Sequence, residues 1–124
     1  MAVRIMDFKK LKLSFKCAFE GLRLALHEQT FKMFCFIALL TIILMFALNV
    51  SFNRKITLIL VITLLLGIEL INSQVERTLD IIDPSFNHKI KAIKDISAAA
   101  VFLASFGAAV IGILVFFPYI IQLF

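Results

Sequence analysis

Three long apolar runs, separated by short polar segments, organise the chain. Met33 to Val50 is eighteen residues without a charge, and at about 1.5 Å of rise per residue such a helix covers roughly 27 Å, close to the hydrocarbon thickness of a bilayer. It predicts a first membrane helix over 33–50. Ile56 to Ile68 is also uncharged, and its apolar pattern runs on through Glu69 to about Ser73. A second span over 56–73 follows, with the helix continuing to about residue 82. The third run, Ile96 to Phe124, holds no charge at all and predicts a span over 96–121. Asp83-Pro84-Ser85 breaks the second helix, because proline cannot continue it and restricts its predecessor. A loop over about 83–88 is expected there.

Upstream the pattern changes period. Phe8, Leu11, Phe15, Phe19, Leu22 and Leu26 recur at steps of three and four, while Lys9, Lys12, Lys16, Glu20, Arg23 and His27 repeat on another face. A basic polar face opposite a Phe/Leu face suits a helix lying in the membrane interface, so residues 1–30 are expected to form an amphipathic surface helix.

Composition strengthens the membrane reading. Apolar residues make up 62% of the 124 positions and charged ones 17%, against about a quarter charged in soluble domains. Lipid is the natural solvent for this surface. A signal peptide is a poor account of the first run, whose apolar core is long and lacks a small-residue cleavage site. Arg4, Lys9, Lys10, Lys12, Lys16, Arg23 and Lys32 precede the first span, and Arg77, Lys89, Lys91 and Lys94 flank the second connection. Only Arg54 and Lys55 lie on the other side. The positive-inside rule therefore places the N-terminus and the connection between the second and third spans in the cytoplasm of a multi-pass membrane protein. The net charge of +5 sits beside anionic headgroups, and no nucleic-acid-binding module is visible. Cys17 and Cys35 have no CxxC or Cys/His spacing and read as small apolar side chains. His27 and His88 lack ligand spacing and read as solvated.

Candidate chemistry gathers on the second helix. Glu69, Asn72, Glu76 and Asp80 follow one another at intervals of three, four and four, which aligns them along one stripe. Like charges at this spacing repel, and a carboxylate in the apolar zone is costly, so a compensating group is expected. A divalent cation would serve; carboxylates suit Mg²⁺, which takes one or two of them and shares its remaining positions with water and nucleotide phosphates. Lys94 and Asp95 open the third helix on the same side, and Glu28 ends the amphipathic helix there. The plainer alternatives are ion pairing of Glu76 and Asp80 with Arg77, Lys89 or Lys91, pairing of Glu69 with a neighbouring helix, an interhelical hydrogen bond for Asn72, and snorkelling of Lys94.

No GxxxxGK[ST], GxGxxG or GxSxG pattern occurs, which removes P-loop, dinucleotide and nucleophile-elbow chemistry. Ala104, Ala108 and Gly112 make a small-residue seam on the third helix, suited to close packing. Three spans enclose a nucleotide poorly, so an oligomer with shared sites is the economical expectation. A cation path through the acidic stripe is disfavoured, because the third helix has no ionisable residue to continue it across the bilayer.

These residues resemble the small bacterial membrane lipid kinases, the family of diacylglycerol kinase and undecaprenol kinase. The run Glu69-Leu-Ile-Asn72-Ser-Gln-Val-Glu76-Arg-Thr-Leu-Asp80, followed after the Asp-Pro loop by Lys94-Asp95-Ile-Ser-Ala-Ala-Ala-Val101, is similar to the family signature ExxNxxxE(x)₃D and KD(x)₂AAxV. Phe19-Glu-Gly21-Leu22-Arg23 and Glu28-Gln-Thr-Phe31-Lys32 resemble its amphipathic-helix signature. Gln74 and Ile93 depart from it, standing where small residues are usual. The resemblance implies an all-α membrane protein, with an N-terminal amphipathic surface helix and three transmembrane helices, assembled as a homotrimeric helical bundle with composite sites between subunits. It implies that Glu28 and Glu76 hold the Mg²⁺ of ATP, that Asp80, Lys94 and Asp95 line the nucleotide site, and that Glu69 takes the proton from a lipid hydroxyl beside Asn72. The expected activity is ATP-dependent phosphorylation of 1,2-diacylglycerol to phosphatidic acid. Undecaprenol is the alternative acceptor, and a non-catalytic membrane scaffold is the alternative of another class.

Overall fold

A computed structural model describes residues 7–85 and 87–124. Arg4 and the rest of the first six positions of the expected surface helix lie outside the described residues. Four α-helices follow in order: α1 Phe8–Ala25, α2 Gln29–Ala47, α3 Phe52–Ile82 and α4 His88–Ile121. The last three are long and apolar enough to cross a membrane. Helix α3 packs chiefly against α4 and less extensively against α2.

The helices do not coincide with the apolar runs, because a charge ends a span without ending a helix. Helix α2 starts at Gln29 rather than Met33, so Lys32 falls inside its first turn, and it stops at Ala47 rather than Val50. The stop is a Schellman motif. Asn49 adopts φ 52°, its N–H donates to the Phe46 carbonyl at 3.2 Å, and the Val50 N–H reaches back to the Met45 carbonyl at 3.2 Å. Asparagine tolerates this left-handed conformation better than most residues with a side chain. Val50 and Met45 then close the motif's apolar contact and are nearly inaccessible.

Arg54 and Lys55, which fall between the expected first and second spans, belong to the first turn of α3. The Arg54 guanidinium donates to the Val115 carbonyl at 3.0 Å and lies 5.5 Å from the Tyr119 ring centre. Lys55 sits 4.9 Å from the Phe46 ring. The Tyr119 hydroxyl accepts from the Ser51 N–H at 3.0 Å. Around these contacts Met45, Val50, Leu58, Val115 and Phe116 form the buried apolar cluster.

Helix α4 begins at His88, eight positions before the apolar run, with Asn87 as its cap accepting from the Lys89 N–H at 2.8 Å. Lys94 and Asp95 therefore lie within α4, past its first turn. Helix α3 has 31 residues, a length of about 46 Å that exceeds a hydrocarbon core of about 30 Å by roughly three turns. Glu76 and Asp80 lie in its last two turns.

Little of the membrane-crossing surface is buried within one chain: 22% of the most apolar stretch of α2, and 11% of those of α3 and α4. A groove of about 550 Å³ runs between α2, α3 and α4, with Thr41, Leu65, Ala108 and Gly112 among its walls. Ala108 and Gly112 of the small-residue seam thus line an open groove.

Candidate functional site

Within the apolar stretch of the helices, hydroxyl groups satisfy themselves locally. Thr41 donates to the Ile37 carbonyl at 2.8 Å and Thr63 to the Ile59 carbonyl at 2.7 Å, so neither needs a partner from outside its helix. Glu69 and Asn72 behave differently. They are the buried polar side chains among the described residues, Glu69 being 2% and Asn72 8% exposed. Glu69 Oε2 and Asn72 Oδ1 nevertheless have no hydrogen-bond partner. A buried, unpartnered oxygen costs about 1–3 kcal/mol, and two adjacent ones mark a place where fold stability has been given up. The Asn72 side chain interacts with the Glu69 carboxyl, which keeps the pair together.

The next turns of α3 carry Glu76 and Asp80 out to exposed positions. Glu28 arrives from elsewhere in the chain. It is the N-cap of α2, with extended backbone at φ −83° and ψ 129°, yet its carboxylate makes no capping hydrogen bond. Instead it accepts from Arg77 Nη2 at 2.6 Å, which joins the α1–α2 corner to α3. Glu28 and Glu76 both act electrostatically on Glu69. The structure thus brings four of the expected residues, Glu28, Glu69, Asn72 and Glu76, into one neighbourhood.

The remaining three lie across the α3–α4 contact. Lys94, half-buried, is ion-paired with Asp80. Asp95 is exposed and paired with Lys91 one turn earlier on α4, at 2.6 Å. Of the simple pairings expected for the acids, Asp80 takes Lys94 rather than Arg77, Lys89 or Lys91, and Glu76 is in none of the three pairs. Arg77 is the neighbour that the spacing argument passed over as a site residue. Its partner is 49 positions away, and only its place beside Glu76 could have drawn notice.

The donor set is all oxygen, which suits a hard cation. Among the described residues no three or more His, Cys, Asp and Glu side chains converge as a closed metal cage. Mg²⁺ does not require one, since it keeps waters and shares itself with phosphates while using one or two carboxylates. Glu28 and Glu76, one half-buried and the other exposed, fit that requirement. Arg77 already holds Glu28, and Lys94 holds Asp80.

Among the described residues the chain is all-helical, with three helices long and apolar enough to cross a membrane, which is the architecture of an integral membrane protein. Residues 16–116 match the family described as prokaryotic diacylglycerol kinase, a stretch that includes all seven expected site residues. The chain belongs to that family, and it is a membrane lipid kinase. No curated protein matches it significantly.

Proposed function

We propose that the protein transfers the γ-phosphate of ATP to the free hydroxyl of 1,2-diacylglycerol, forming phosphatidic acid at the cytoplasmic face of a bacterial inner membrane. The observation that carries this reading is the buried Glu69 carboxyl, with Oε2 unpartnered, one to two turns below the exposed Glu76. A lipid hydroxyl and a nucleotide phosphate meet at that depth.

In this reading Glu28 and Glu76 hold Mg²⁺ bound to ATP, which supplies charge neutralisation at the phosphates. Asp80, Lys94 and Asp95 line the nucleotide site. Lys94, at present paired with Asp80, has a cation to offer the phosphate chain. Glu69 accepts the proton of the lipid hydroxyl as its oxygen forms a bond to the γ-phosphorus; the bond from that phosphorus to the bridging oxygen breaks, and ADP leaves with the electron pair. Asn72 orients the carboxyl and the hydroxyl. Phosphoryl transfer calls for positioning and electrostatic stabilisation more than covalent catalysis, and these residues supply both.

Helix α1, whose Phe8, Leu11, Phe15, Phe19 and Leu22 are exposed in the single chain, rests its apolar face on the membrane surface. Neighbouring copies in a homotrimer cover the open helix faces and complete each site. The groove beside Leu65 and Leu66, one turn below Glu69, is apolar and open, which supports an acyl chain approaching from the bilayer. Undecaprenol presents the same kind of hydroxyl at the same depth and is the alternative acceptor.

The test is transfer of labelled γ-phosphate from Mg-ATP to diacylglycerol and to undecaprenol, separately, in mixed micelles, with Glu76→Gln alongside. Labelling of diacylglycerol that is lost in the variant is the expected result. Labelling of undecaprenol alone would reassign the substrate, and labelling of neither by a folded oligomer would remove the proposed acceptors.

A further inference from the structure

Three carboxylates in one neighbourhood pose a problem for the protein whenever no metal is bound. Glu28 and Glu76 both act electrostatically on Glu69, and next to Glu76 on α3 stands Arg77, whose guanidinium reaches Glu28 Oε1 at 2.6 Å. The contact is not incidental to a crowded surface. Glu28 occupies a helix N-cap, where a carboxylate would ordinarily turn to the backbone N–H groups of its own helix, and it forgoes that bond for Arg77. The Glu28 side chain is 20% exposed and that of Arg77 55%, so the acid is held while the base remains accessible enough to swing away.

We propose that Arg77 is the resident counterion of Glu28, occupying the carboxylate while the metal site is empty and leaving it when a divalent cation arrives. The contact joins the α1–α2 corner to α3, and an arriving cation must displace the guanidinium from Glu28. The inference rests on the proposed metal role of Glu28. Its consequence is a metal site weaker than its two carboxylates alone would make, because the guanidinium competes for one of them and its charge opposes the incoming cation.

The experiment is binding of Mn²⁺ alone, in the absence of nucleotide, to the full chain in neutral detergent micelles, followed by the electron paramagnetic resonance signal of the free ion. Arg77→Met is expected to bind Mn²⁺ more tightly than the unaltered protein, by roughly two- to fivefold, the scale of a partly exposed ion pair. Arg77→Lys should fall between the two, since a lysine keeps the charge without the planar fork, and it also serves should Arg77→Met fail to fold. Glu28→Gln separates the two ideas. If Glu28→Gln weakens Mn²⁺ binding while neither Arg77 variant strengthens it, the counterion role is overturned and the metal site stands. If Glu28→Gln binds Mn²⁺ as well as the unaltered protein, the metal role of Glu28 falls and the competition falls with it.

Discussion

The two ends of α3 solve opposite problems. At the Phe52 end the polar groups have partners: the Tyr119 hydroxyl accepts from the Ser51 N–H, Arg54 donates to the Val115 carbonyl, and the apolar cluster around Met45 and Val50 closes behind them. At the Glu69 end two buried oxygens, Glu69 Oε2 and Asn72 Oδ1, have none, and the charges further out form exposed or partly exposed pairs that contribute little stability. One helix is therefore anchored at one end and carries unpartnered buried oxygens at the other. Satisfied polar groups fix structure, whereas a buried unsatisfied one in an otherwise consistent fold marks a place held ready for a ligand.

The largest test of this contrast is Glu69→Gln. The change keeps shape and removes the base, so lipid phosphorylation should fall by about 10²–10⁴-fold, with helix content and thermal midpoint preserved. Kinase assays and circular dichroism on the same sample decide it. Retained activity would remove Glu69 from the chemistry; loss of fold would make the open end a structural one.

Met45→Ala strikes the other end. Met45 is 1% exposed, and truncation leaves a cavity where the α2 terminus meets α3 and α4, costing about 2–3 kcal/mol. Lipid can solvate a separated helix as well as water cannot, so the loss is chiefly one of packing. Unfolding in mixed detergent should show it, while turnover per folded molecule stays near that of the unaltered protein. Proportionate loss of turnover would mean that the two ends are coupled.

A smaller effect is expected at the Schellman turn. Asn49→Val places a branched side chain at φ 52° and should cost about 1–2 kcal/mol, whereas Asn49→Gly should be neutral or slightly stabilising. Unfolding midpoints of the two variants give the comparison. An equal response to both would show that the left-handed residue does not hold the turn.

The sequence made different parts of this contrast legible. The apolar runs and the stripe of Glu69, Asn72, Glu76 and Asp80 declare themselves because helical periodicity turns sequence spacing into a face. The Lys91–Asp95 pair obeys the same rule. Glu28 with Arg77, 49 positions apart, and Lys94 with Asp80, 14 apart, depend on how helices meet, which periodicity does not encode. Helix ends are hidden for another reason. Hydropathy locates the membrane boundary, but Lys32, Arg54 and Lys89 sit comfortably in the first turns of helices that start in the polar zone, and a turn at Asn49 inside an apolar run has no hydropathic signature. Arg54, read for orientation alone, is a structural clasp.

The smallest effect is expected at the connection between α3 and α4, and there pH is the probe. Asp83 Oδ1 accepts from the Ser85 N–H at 3.0 Å and from its hydroxyl, an Asx turn that shapes the chain around Pro84. These hydrogen bonds hold the Asp83 carboxyl below its ordinary value, the bond from the hydroxyl contributing most. A carboxylate lowered on folding contributes its stability above the unfolded value of about 3.9 and loses it as pH falls through the lower folded value. Hydrogen exchange at the Ser85 amide, corrected for its intrinsic rate, should therefore be slow and level at neutral pH and accelerate below about pH 4. Asp83→Ala should exchange quickly throughout, with the thermal midpoint almost unchanged because the turn lies at the surface, with Ser85 exposed. A Ser85 amide equally protected in the variant would show that Pro84 alone shapes the connection. If the amides around Val50 loosened as well, the connection would be helping to hold the anchored end, and the separation of the two ends of α3 would fail at its weakest link.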